Sequence, residues 1–88
     1  MVKKTITVIN EQGLHMRPAG VLAKAASAFK DCNITLNVNG KSVNAKAVMQ
    51  IMSAAIKCGA QVEIVCEGTD EQAALDGVAE MFENGFGE

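Results

Sequence analysis

The 88-residue chain has no tryptophan and no tyrosine, and only three phenylalanines, one proline, three cysteines and one histidine. So few rings leave no platform on which bases stack, and a net charge of −2 removes the general attraction to phosphate backbones. Nucleic acid is therefore not an expected partner. Cys32, Cys58 and Cys66 are odd in number and lack C-x-x-C spacing, which argues against a disulfide framework or a zinc site and for reduced thiols in a cytosol. No apolar run approaches the ~18 residues of a membrane span, and the stretch from Thr5 to Asn10 is too short and too alternating for a signal peptide. A cytoplasmic protein without membrane insertion is expected.

What is present describes an ordinary folded domain: 49% of residues are apolar, 20% are charged, and both signs occur. At this length one core is expected, so residues 1–88 read as a single domain. Charge is unevenly spread, with six Lys/Arg against two Asp/Glu in residues 1–44 and two against eight in residues 45–88. A mildly basic site belongs in the first half.

Residues 2–9 alternate, with Val2, Lys4, Ile6 and Val8 on one side, which predicts a strand. Pro18 then opens a helix from about residue 16, with Val21, Leu22, Ala25, Ala26 and Phe29 at helical spacing. Residues 33–38 alternate and meet Asn39-Gly40, the signature of a two-residue hairpin turn, so a third strand follows at 41–44 with Leu36 opposite Val43. An apolar helix is predicted from Ala47 to Ile56, ending in Lys57, Cys58 and a Gly59 stop; it has more apolar circumference than one core face needs. Residues 61–67 give a fourth strand, and Thr69 to Gln72 matches a capping box ahead of a helix carrying Leu75, Val78 and Phe82 to Asn84 and Gly85. The order βαββαβα, with one apolar face per strand, predicts an α+β fold: a two-layer open-faced β-sandwich with three helices on one face. Strand order stays open at this point, since a ferredoxin-like split βαβ arrangement satisfies the same alternation.

The single imidazole lies in Gly13-Leu14-His15-Met16-Arg17-Pro18-Ala19, at a loop-to-helix junction. The first-turn backbone N–H groups there carry about half a positive charge, which receives an anion and disfavours imidazolium, leaving a ring nitrogen as nucleophile. Arg17 adds a permanent charge with a fork suited to phosphate, and Pro18 stiffens the turn without wasting a donor. Met16, Arg17 and Pro18 thus form a phosphate-binding helix start around His15. For an isolated histidine, a plain helix cap would be the commoner explanation. Metal binding is not expected, because no second ligand lies at helical or hairpin spacing from His15, and nothing calls for a cofactor.

That heptapeptide, together with Asn39-Gly40-Lys41-Ser42-Val43-Asn44-Ala45-Lys46, Val48-Met49-Gln50-Ile51-Met52-Ser53 and Glu67-Gly68-Thr69-Asp70-Glu71, resembles the histidine-containing phosphocarrier (HPr) family of the bacterial phosphoenolpyruvate-dependent sugar phosphotransferase system. The resemblance spans essentially the whole chain. It implies an antiparallel sheet in the order 1-4-2-3, and a His15 that accepts phosphate on Nδ1 from phosphorylated enzyme I and passes it to enzyme IIA domains, steadied by Arg17. It further implies a cytoplasmic monomer that carries phosphate rather than turning over a free substrate, with regulatory proteins as further partners. A docking patch beside His15 would comprise Met16, Gly20, Lys24, Val48, Met49, Gln50 and Met52, with Met an adaptable contact for several partners. Lys24 and Lys46 divide evenly between solvated surface and steering of acidic partners.

Many members carry a regulatory serine after Asn-x-Lys; this chain has Ala47 there, which puts serine-based control in doubt. Ser42 and Ser53, close by, read as structural. Met16, Gly20 and Gln12 also depart from common family choices. Two further readings are a regulatory HPr-like module without phosphate, whose members typically lack the histidine kept here, and a carrier of the nitrogen-related branch with the same histidine chemistry.

Overall fold

A computed structural model describes residues 1–87; the last residue of the expected 1–88 domain lies outside them. The elements run β1 (Val2–Thr7), α1 (Met16–Ser27), β2 (Cys32–Val38), β3 (Lys41–Asn44), α2 (Val48–Ser53), β4 (Gln61–Gly68) and α3 (Glu71–Glu83), followed by a 3₁₀ turn at Gly85–Gly87. The four strands are antiparallel in the order β1-β4-β2-β3, which resolves the alternative that hydrophobic alternation leaves open. The hairpin has the expected register, Leu36 opposite Val43 and Val38 opposite Lys41, with Asn39 and Gly40 at φ 54° and 76°.

The helices cover the sheet face that carries Leu36, Ile34, Val62, Ile64 and Cys66, all of them buried. Helix α1 contributes Pro18, Ala19, Leu22, Ala23 and Ala26, spaced three and four residues apart on one stripe; α3 contributes Ala74, Leu75, Val78, Ala79 and Phe82 in the same way. No helix among the described residues is long and apolar enough to cross a membrane.

Four local expectations are corrected. Strand β1 stops at Thr7 instead of residue 9, because Val8 exchanges backbone hydrogen bonds with Gly59 and Ala60 of the loop before β4 rather than with the ladder, which turns Ile9 out to solvent. Lys4, expected on the apolar side, is exposed and reaches Glu83 at 3.5 Å. Helix α2 covers only Val48–Ser53, so Lys57 is not in its last turn. Ala55 adopts a left-handed φ of 52°, after which Ile56 re-enters the core at 3% exposure. Burying Ile56 and presenting its carbonyl to the β1–α1 loop outweighs another helical turn. The capping box does not form either: Asp70 is the N-cap of α3 with φ 57° and makes no side-chain cap, since a left-handed cap residue aims its side chain away from the first-turn donors. Gln72 donates instead to Asp76.

Candidate functional site

His15 is the residue immediately before α1, extended at φ −75° and ψ −169°, half-buried, with its carbonyl accepting the first helical hydrogen bond from Ala19 N–H at 3.0 Å. His15 occupies the N-cap position, and its side chain makes no capping bond to the helix. Met16 and Arg17 present first-turn N–H groups without an intrahelical partner, and Pro18 has none to spare. No acidic residue lies in this turn, and Arg17 is exposed beside it. The junction is therefore electropositive at the point where the imidazole stands.

The loop holding His15 is fixed by contacts from distant parts of the chain. Gly13 N–H closes a turn onto the Asn10 carbonyl, and Leu14 N–H donates to the Ile56 carbonyl, both at 2.9 Å. Asn10 Nδ2 in turn donates to the Gly85 carbonyl at 2.8 Å. Gly13 sits at φ 66°, and a Cβ built there would lie 2.2 Å from the Ile56 oxygen, so no other residue fits. Buried Leu14 and Pro18 flank the histidine on either side. An open cleft of about 520 Å³ opens beside it, lined by Ile9, Asn10, Glu11, Gln12, His15, Asn84 and Gly85.

On the other flank α1 packs beside α2, and the expected docking residues divide. Met16 and Met49 are 73% and 76% exposed, and Gly20, Lys24 and Gln50 are exposed as well. Val48 and Met52 are half-buried against the core. Gln50 accepts a hydrogen bond from Asn44 N–H at 3.0 Å, which ties it to the β3–α2 connection. Val21, assigned to the core stripe by spacing, is 42% exposed and joins the apolar surface. Its position directly before the buried Leu22 was the available signal. Asn84 at the cleft carried no signal, since only the fold brings the end of α3 to the β1–α1 loop.

Lys46 is half-buried and its Nζ donates to the Phe29 carbonyl at 2.6 Å, just beyond the C-terminal end of α1, which favours a structural role. Ala47 is the N-cap of α2 and has no hydroxyl to offer there. Ser42 donates to Asn37 Oδ1 at 2.6 Å and Ser53 to the Gln50 carbonyl at 2.9 Å, both local structural bonds.

With this geometry in place, comparison with known proteins is decisive. The family model for the PTS HPr component phosphorylation site matches residues 2–84. The chain belongs to the HPr family. It is accordingly a phosphocarrier of the phosphotransferase system and not an enzyme with turnover. The HPr of Treponema pallidum is 46% identical over 88 residues, the whole of this chain and 99% of that protein. Among solved structures, HPr-C-His from Thermoanaerobacter tengcongensis superposes with a TM-score of 0.94 at 39% identity, covering 100% of this chain and 98% of that one. An HPr dimer from the same organism also matches, with a TM-score of 0.78 at 39% identity and complete coverage of both chains. The HPr fold thus accounts for the whole described chain.

Proposed function

We propose that His15 is the phosphoryl acceptor of this carrier. Its Nδ1 attacks the phosphorus held by phosphorylated enzyme I, the bond to the donor breaks as the new P–N bond forms, and the same group is later surrendered to an enzyme IIA domain. The observation that carries this reading is the imidazole at the start of α1, next to first-turn N–H groups and Arg17. Those donors stabilise the phosphoryl oxygens only moderately, as a carrier requires, because an intermediate held too tightly would not be passed on. Met16, Met49, Val21, Gly20 and Lys24 form the surface that partners meet, with Val48 and Met52 supporting it from beneath and Gln50 at its edge. The absence of a hydroxyl at Ala47 argues against serine-based control at this position. Residues 1–88 are read as one domain and the working form as a cytoplasmic monomer, a reading supported by His15, the first-turn N–H groups and Arg17 lying together at one helix start.

The test is incubation with phosphoenolpyruvate and an enzyme I that is active on a reference carrier, followed by intact mass and acid lability. One acid-labile phosphate on the native protein and none on His15→Ala is expected. No incorporation on the native protein would overturn the assignment.

A further inference from the structure

Two asparagines in the chain precede a glycine, Asn39 and Asn84, and the second lines the cleft beside His15. A glycine on the C-terminal side leaves the backbone nitrogen unshielded, so the asparagine carboxamide carbon is open to attack by it. We propose that Asn84 is a deamidation site whose product lowers phosphoryl acceptance at His15, an inference that rests on the carrier reading above. The Gly85 backbone nitrogen attacks Cγ of Asn84 and ammonia leaves with the amide proton, which closes a five-membered succinimide. Water then opens the ring to aspartate or isoaspartate, so one water is consumed and one ammonia released.

The local structure permits this. Asn84 is exposed and terminates α3 with φ −90° and ψ 5°, outside any strand ladder. Ring closure needs rotation about its ψ, which displaces the residues that follow and loosens the Asn10–Gly85 hydrogen bond to the His15 loop. These are tethered by the Asn10–Gly85 hydrogen bond at 2.8 Å, a Gly87 N–H to Asn84 carbonyl bond at 3.2 Å and the edge-on contact of Phe86 with Phe82 at 4.9 Å. Opening this terminal turn, in which Gly85 is buried and Phe86 packs against the core, is a local event and does not unfold the domain. The Asn39-Gly40 turn differs, being bound on both sides by paired strands.

The consequence follows from the cleft's composition. Its lining holds Glu11 and no lysine or arginine, so a carboxylate at position 84 would add to the negative charge facing His15. A new negative charge beside His15 repels the incoming phosphoryl group.

The experiment ages the purified full chain in heavy-oxygen water at mildly alkaline pH, maps label by peptide, and follows phosphorylation by enzyme I and phosphoenolpyruvate. Label at residue 84, with a falling phosphorylation rate on ageing that Asn84→Gln does not show, is expected. Asn84→Asp should be slowed about threefold or more relative to Asn39→Asp, a charge control outside the cleft. No label at 84 under conditions that label the unfolded protein there, or an Asn84→Asp rate equal to that of Asn39→Asp, would overturn the proposal. Failure of every form, fresh native protein included, to take phosphate from an active enzyme I would instead overturn the carrier reading, while the label at 84 remains readable by itself.

Discussion

Gly13 owes its identity to a residue far along the chain, the Ile56 carbonyl that occupies the space of its missing Cβ. Gly13→Ala would add a left-handed alanine and a backbone clash, and should cost about 2–4 kcal/mol in denaturant unfolding while displacing His15 and slowing phosphorylation. Gly40→Ala, with a similar φ of 76° and nothing within 4 Å, should cost about 1–2 kcal/mol and leave phosphorylation alone. The cysteines offer a second comparison. Burial, aided by the neighbouring Cys32 thiol, pushes the Cys66 thiol up to about 11, whereas Cys58 lies on the surface. Alkylation of native protein near neutral pH should therefore modify Cys58 alone, and intact mass should show all three thiols modified only in denaturant. At this scale the sequence was most legible where chemistry is local: His15, Arg17 and Pro18 stand where their order implied. The reason for Gly13 and the occupation of Lys46 were not legible, because both depend on partners distant in sequence.

The two helix ends that departed from expectation show what competes with local rules. Helix α2 surrenders its last turn so that Ile56 is buried, and α3 begins at a left-handed Asp70 without its capping box, while Glu71 in its first turn pairs with the Met1 ammonium at 2.6 Å. The hydrogen bond between these two groups raises the amine above its ordinary 8.0 and lowers Glu71 below 4.5. A raised amine stabilises fully below 8.0 and loses that contribution as pH climbs through its folded value; a lowered carboxyl stabilises above 4.5 and loses it as pH falls through its folded value. Removing the pair by Glu71→Gln should lower the melting temperature slightly between those limits and converge with the native protein at both extremes, as thermal scans across pH would show. Lys46→Met tests another element boundary. Losing a cation bonded to a carbonyl at the end of α1 should cost about 1 kcal/mol, a fall of about 4–8 °C in melting temperature, with the phosphorylation rate unchanged. A steering role would give the opposite pattern.

Across the whole molecule, alternation and helical spacing were enough for two layers and three helices over one sheet face, but not for the order of the strands. Every strand here has one apolar face, and that property is the same in any antiparallel arrangement. Family resemblance supplied the order, and the ladders of β4 with β1 and β2 carry it. The charge asymmetry noted in sequence also takes spatial form, with Arg17 and Lys24 on α1 and Glu71, Asp76, Glu80 and Glu83 on α3. Phosphorylation by enzyme I should consequently fall as ionic strength rises, and Lys24→Glu should slow it at low salt and much less at high salt.

The bond between Leu14 and Ile56 has a practical side for protein engineering. It joins the connection before α1 to the connection after α2, so relocating the chain ends or inserting a reporter into residues 54–60 would also disturb the loop that carries His15. The Asn39-Gly40 tip, exposed and with open space around Gly40, is where new termini or a fused domain should be accepted with transfer intact.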